Sequence, residues 1–288
     1  MSFLKEIPQL IKYKISFAVT YTTVAGFVLY HKGFHIHLLL ICSGVFLLSA
    51  GAMAINQLQE EKFDAIMKRT SGRPLPGGRM TKIQVVLTAI VFFLAGSTIL
   101  FIHFPIITLA LGIFNVVWYN AVYTPLKRLT PLAVIPGSLI GAVPAMMGWV
   151  AAGGNVFDVR IIALSLFLII WQIPHFWLIM FRNNNEYEQA GFPGIERLFS
   201  QKNIKHIIFA WMLATTCSAM LLAIFGLISN SVLIVALILV NVFLIILFYK
   251  FVSNQKTVKM RFVMIGINLY MLIILSLSMI NVFLGHTS

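Results

Sequence analysis

The chain has 288 residues, 60% of them hydrophobic and only 10% charged, with 21 Lys and Arg against 8 Asp and Glu and a formal net charge of +13. A water-soluble domain carries about 25% charged residues and disorder requires low hydrophobicity, so both classes are excluded. So apolar a chain offers little surface to a polyanion, which sets nucleic acid aside as a partner and leaves an all-α, polytopic protein of the lipid bilayer.

Apolar runs of about 20 residues, enough to cross a hydrocarbon core of roughly 30 Å, recur along the whole sequence. They lie near 15–31, 38–58, 83–103, 105–123, 132–152, 160–181, 205–228, 231–250 and 262–284. Each is read as a helix, because backbone polar groups in lipid must be satisfied within the segment. The residues before the first run include Glu6 and lack the Arg- and Ser-rich character of a transit peptide. Lys12 and Lys14 precede a full-length span without an A-x-A cleavage site, so no signal peptide is expected either. The whole of 1–288 is read as one integral-membrane domain.

Assigned to alternate loops, 19 of the 21 basic residues fall on one side and only Lys32 and Arg160 on the other. By the positive-inside rule the N-terminus is cytoplasmic and the C-terminus outside, and an even number of spans would scramble the asymmetry. Cys42 and Cys217 sit inside apolar runs and form no metal or redox spacing. His31, His35 and His37 fall on the outer side and are read as part of an interfacial loop.

The scarce acids are more informative. Six of the eight lie in the cytoplasmic loops after the second and sixth runs, and carboxylates near a membrane need a partner or a purpose. In the first loop Asn56, Glu60 and Asp64 are four residues apart, so they step round a helix by only about 40° each and share one face. Three oxygen ligands there suit a hard cation such as Mg²⁺, which keeps waters and bridges to substrate phosphates. Lys68, Arg69 and Arg73 follow within reach of a bound anion, and Arg grips phosphate bidentately. The competing reading is a solvated helix end whose charges pair along the helix. The RTSGRPLPGG continuation favours a compact loop over a site. This pattern, N-x3-[DE]-x3-D followed by RT-x2-RP, resembles the first motif of the UbiA-type intramembrane prenyltransferases.

Between the fourth and fifth runs stands YTPLKRLTP, from Tyr123, followed by GAVPAMMGW from Gly141. Lys127 and Arg128 read either as a positive-inside loop or as cations for a diphosphate or carboxylate. Gly137 and Gly141 form a GxxxG that permits close helix approach. The sixth run ends WQIPHFWLIMFRNNNEYEQAG. In it His175 is either a satisfied interhelical hydrogen-bonder or a polar group facing the interior. Asn185 and Glu186 belong to the second acidic patch. Together, YTPLKRxTP, GAxPxxxGW and WQxPHF resemble the protoheme IX farnesyltransferase branch of the same superfamily. Asn185-Glu186-Tyr187 stands where that branch has DDY, and Pro144-Ala145 where it has PP.

The resemblance implies nine helices around a central cavity, and transfer of farnesyl from farnesyl diphosphate to a vinyl group of haem B with addition of water, giving haem O. Haem B is then a substrate and Mg²⁺ the cofactor. Asn56, Glu60 and Asp64 would hold Mg²⁺, with Asn185 and Glu186 on a second ion. Arg69, Arg73, Lys127 and Arg128 would hold the diphosphate or the haem propionates, alongside Tyr123. Asp64, Arg73 and His175 are the expected catalytic residues, His175 in haem contact or proton handling. A bacterial plasma membrane is the expected location and a downstream haem A synthase an expected partner. Prenylation of an aromatic quinone precursor is the alternative within the fold, and a secondary transporter the alternative outside it.

Overall fold

The computed structural model describes residues 3–33, 35–253 and 259–284. A short helix, α1 (Phe3–Leu10), precedes α2 (Tyr13–His31), α3 (Ile36–Ile66) and α4 (Lys82–His103). Next come α5 (Ile106–Leu126) and α6 (Pro131–Ala151). They are followed by α7 (Val159–Arg182), the short α8 (Asn184–Gln189), α9 (Gln201–Ile224), α10 (Ser231–Val252) and α11 (Met260–Leu284). Among the described residues there are thus nine long helices, matching the nine apolar runs. Eight are long and apolar enough to cross a membrane. The ninth, α2, has 19 residues and carries several hydroxyls; those of Thr20, Thr22 and Thr23 each donate to a carbonyl three or four residues earlier, so they go into the bundle already satisfied.

Local signals set the helix ends. Thr81 and Gln84 form a reciprocal capping box on α4, and Asp158, Ser200 and Asn230 cap α7, α9 and α10 through their side chains. Phe225 and Gly226, with φ +76° at the glycine, stop α9 four residues before the expected end.

α3 runs alongside α4, α2 alongside α6, and α7 alongside α9. Helices in lipid associate through close packing and a few polar contacts, since the tails are as apolar as leucine. The α2–α6 crossing shows the first: a Cβ at Gly26 would stand 1.9 Å from the Ala145 carbonyl oxygen, and one at Gly148 2.0 Å from that of Thr23. The second appears where Trp171 donates to the Ile267 carbonyl at 2.8 Å and the Tyr270 hydroxyl to Asn241 at 2.7 Å. The main core surrounds α7, with Trp149, Phe167 and Trp177 inside.

α3 is the longest element and continues to Ile66, about two turns past its apolar stretch, which carries its polar stripe to the end of the bundle where the basic loops gather. At the other end Arg160 is paired with Asp158 at 2.6 Å, so one of the two basic residues there is neutralised. His31, His35 and His37 also lie at that end, exposed, with ring centroids 5.3 and 4.7 Å apart in sequence order. Lys256, counted among the basic residues of the charged side, lies outside the described residues. The expected central space is narrow. A cavity of about 50 Å³ lies beside Tyr123 and Lys127, and one of about 30 Å³ lies deeper between α2, α3, α5 and α6.

Candidate active site at the charged end of the bundle

The last three turns of α3 bury Asn56, Glu60 and Asp64, which are 0%, 5% and 1% exposed. Carboxylates are almost never this buried unless paired, and each polar group of the stripe does have its own cation. Lys12 donates to Asn56 Oδ1 at 2.5 Å, Lys127 pairs with Glu60 and Arg73 with Asp64. The three cations come from three different elements: the linker between α1 and α2, the end of α5, and the loop after α3.

Each is aimed by its own local structure. Lys12 sits in the left-handed region, φ 48° and ψ 54°, a conformation that costs a residue with a Cβ about 1–2 kcal/mol. The Gln57 amide holds the preceding turn, donating to the carbonyls of Gln9 and Leu10 at 2.9 and 2.7 Å. Arg79 ties the same segment to the next loop, donating to Glu6 at 2.9 Å, to Gln9 at 2.8 Å and to the Gly72 carbonyl at 2.9 Å. The RTSGRPLPGG loop winds back on α3: Thr70 Oγ1 donates to the Asp64 carbonyl at 3.0 Å, and a turn from Thr70 brings Arg73 round. Burial, and after it the Arg73 guanidinium, bring the Lys12 ammonium down to about 7. Two carboxylates are too little negative charge for this many cations.

α5 reaches the site through a π-helical turn, Trp118–Tyr123, a widening frequent at functional sites. It puts the rings of Tyr119 and Tyr123 in a stack, centroids 5.9 Å apart. Tyr123 stacks in turn on Phe176 of α7 at 6.2 Å, and His175 lies next to Phe176 and stacks on Trp171 at 4.9 Å. An aromatic ladder therefore leads inward from the ion pairs to His175. Lys127 stands 5.4 Å over the Tyr123 ring. Gly137 makes room for this arrangement, since a Cβ there would lie 2.5 Å from the Tyr123 ring.

The donor set can be tested against a divalent metal. Asn56, Glu60 and Asp64 present hard oxygens in one row, and Asp64 Oδ1 is buried without a hydrogen-bond partner. One amide oxygen and two carboxylates suit Mg²⁺, which binds through few carboxylates and completes its shell with water and phosphate oxygens. No group of three or more His, Cys, Asp and Glu that could hold a metal occurs among the described residues, so an ion here would draw on a bound anion.

The sequence profile of the UbiA prenyltransferase family matches residues 19–274. The chain belongs to that family. A protoheme IX farnesyltransferase of Geobacter sulfurreducens is 38% identical over 208 residues, 71% of this chain and 75% of the relative. One from Neorickettsia sennetsu is 31% identical over 259 residues, 87% of this chain and 84% of the relative. Among solved structures, digeranylgeranylglyceryl phosphate synthase superposes with a TM-score of 0.80 at 16% identity, covering 98% of this chain and 99% of that one. A UbiA homologue from Archaeoglobus fulgidus, bound to DMAPP and Mg²⁺, gives 0.74 at 13% identity, covering 96% and 99%. At these identities the structures share the fold.

Within this UbiA-family fold the residues singled out from sequence separate into groups. Asn56, Glu60, Asp64, Arg73, Lys127 and Tyr123 meet in one place. Arg128 is beside them but turned to the helix end: it donates to the Gln59 carbonyl at 2.7 Å and lies 5.0 Å from the Phe63 ring centre. Arg69 is exposed on the loop. Asn185 is exposed on α8, while its neighbour Asn184 is buried with Oδ1 unpartnered, as is Glu186 Oε2. Asn184, Asn185 and Glu186 line a separate polar cavity of about 400 Å³ with Arg182 and Glu196. α8 touches the first site through Tyr187, which lines the small cavity beside Lys127.

Sequence reasoning missed Lys12, counted only as a topology charge, and Thr124. The Thr124 hydroxyl donates to the Tyr119 carbonyl at 2.8 Å and so can only accept from Asn56 Nδ2, at 3.1 Å. That contact turns the Asn56 oxygen toward the site. Thr124 was visible inside YTPLKR. Nothing local marks Lys12, which stands 44 residues from Asn56.

Proposed function

We propose that the protein transfers a farnesyl group from farnesyl diphosphate to a vinyl group of haem B, with addition of water, giving haem O and diphosphate. Its named relatives support this reading, and the observation that carries it is the row of three buried oxygen ligands, each faced by a separate cation, at the mouth of an aromatic ladder. In the reaction the bond between farnesyl C1 and the diphosphate oxygen breaks and C1 bonds to the terminal vinyl carbon. The hydroxyl of water adds to the neighbouring carbon, and the water's second hydrogen leaves as a proton.

Lys12, Arg73 and Lys127 hold the diphosphate oxygens, and Arg69 meets the anion from the loop. Asn56, Glu60 and Asp64 would hold Mg²⁺, which neutralises charge on the leaving diphosphate. Asn185 and Glu186 are assigned to a second ion in the neighbouring polar cavity. The faces of Tyr119, Tyr123 and Phe176 stabilise the allylic cation, and the packed helices keep water from it until the vinyl carbon is reached. His175, stacked on Trp171, is assigned to the haem acceptor, with Arg128 available to a propionate. The cavities are smaller than a haem, so α5, α6 and α7 part to admit it. The single membrane domain places its N-terminus and site loops on the cytoplasmic side of a bacterial plasma membrane, its C-terminus outside, and passes its product to a haem A synthase.

The acceptor is tested by offering purified protein farnesyl diphosphate and Mg²⁺ with haem B or with 4-hydroxybenzoate, and reading products by mass spectrometry. Only the haem is expected to gain hydroxyethylfarnesyl. Farnesylated hydroxybenzoate without haem O would replace this reading by the quinone one.

A further inference from the structure

The pairing of oxygens and cations has a consequence for how ligands enter. Asn56, Glu60 and Asp64 face Lys12, Lys127 and Arg73 one to one. A divalent ion arriving alone must displace all three cations and leave them beside a dication, half-buried and without counter-charge. A diphosphate arriving alone finds its cations already engaged. The charges make the point quantitatively: three cations exceed two carboxylates by one, and a divalent ion raises the surplus to three. The three negative charges of a fully ionised prenyl diphosphate remove it.

We propose that Lys12, Arg73 and Lys127 act as exchangeable place-holders on the metal ligands, so that divalent metal and prenyl diphosphate bind cooperatively by swapping ion-pair partners, with Lys12 as the positioning residue of the exchange. This rests on the diphosphate chemistry proposed above. Metal takes the three oxygens as the released cations close on the diphosphate, and loss of the diphosphate returns each cation to its oxygen. The resting site keeps both buried carboxylates paired with cations, which matters because breaking one partner out of a buried pair is strongly destabilising.

The backbone supports the place given to Lys12. A left-handed turn at residue 12 is cheapest with glycine, yet lysine stands there, with its turn secured by Gln57 and its segment by Arg79. A strained backbone that persists under such restraint points to a use for the side chain it presents. That side chain spans from the linker to Asn56, and Thr124 holds the amide so that its oxygen meets either Lys12 or a metal.

The test uses full-length protein in detergent, Mn²⁺ as a spin-visible divalent probe, and the non-ionising analogue farnesyl thiodiphosphate. Free Mn²⁺ is read by electron paramagnetic resonance, and the analogue's affinity is measured at saturating Mn²⁺. In Lys12→Met the competitor for Asn56 is gone, so Mn²⁺ alone binds about 5-fold or more tighter, while the analogue binds about 5-fold or more weaker, at the lower end of ordinary coupling between sites. Lys12→Arg keeps both constants near those of the parent. Lys127→Met repeats the opposed shifts at Glu60, so the result is readable even where Lys12→Met does not fold. Shifts of the same sign, or none, overturn the exchange while leaving the proposed reaction standing. Failure of the parent to bind the analogue at any Mn²⁺ concentration overturns the reaction and the exchange with it.

Discussion

Asn56 has a donating and an accepting end, and Thr124 decides which way each faces. Because the Thr124 hydroxyl gives its own hydrogen to the Tyr119 carbonyl, the amide must donate to it and turn its oxygen to the site. Thr124→Val removes that acceptor and leaves a buried N–H unsatisfied, at a cost of about 1–3 kcal/mol. Partners of metal ligands typically carry 10- to 100-fold of affinity. The Mg²⁺ concentration for half-maximal turnover is therefore expected to rise about 10-fold or more in Thr124→Val and to stay near the parent's in Thr124→Ser. Equal Mg²⁺ dependence in all three would remove Asn56 from the metal site. At this scale the sequence shows whatever lies along one helix face. The four-residue spacing of Asn56, Glu60 and Asp64 survives folding because all three ride on α3. Lys12 and Thr124 reach the same point only through tertiary packing, across 44 and 68 residues respectively.

Among the elements, α3 and α5 do most to place the chemistry, and both depart from plain apolar spans. α3 runs on to Ile66, and α5 widens into a π turn over Trp118–Tyr123 that no periodicity of the sequence announces. The glycines show how a motif can be seen without its partners. The Gly137 and Gly141 pair on α6 does permit close helix approach, but against side chains: Gly137 accommodates the Tyr123 ring of α5 and Gly141 the Gln172 amide of α7. The backbone-to-backbone crossing is made by Gly26 and Gly148 instead, on α2 and α6. A methyl at Gly26 would run into the Ala145 carbonyl at 1.9 Å, and forced overpacking costs about 1–3 kcal/mol, occasionally more. Gly26→Ala should lower the thermal midpoint in detergent by several degrees. Gly72→Ala, with open space around its position, should leave the midpoint where it is; matching behaviour of the two would refute the close crossing.

For the molecule as a whole, the number of long helices and the gathering of charge at one end follow from hydropathy and from the loop positions of Lys and Arg, both of which survive any detail of packing. The narrow interior does not follow from them, because cavity size depends on how side chains interdigitate. Nor does the separation of the two acidic clusters, which share one end of the bundle: Glu186 and Glu196 line a cavity that no residue of the α3 stripe reaches. The resulting architecture keeps the two carboxylates of the α3 stripe paired with cations and leaves a surplus positive charge for an anionic substrate to meet. On the proposed reading, a metal-bound diphosphate on the α3 stripe farnesylates haem. The most direct measurement incubates the purified protein with haem B, farnesyl diphosphate and Mg²⁺ and quantifies haem O by mass spectrometry, for the parent and for Asp64→Asn. Loss of one preorganised charge-stabilising group commonly costs about 10²–10³ in rate. The parent should form haem O, and Asp64→Asn should do so at least about 100-fold more slowly. No haem O from the folded parent, or equal rates from the two proteins, would contradict the account.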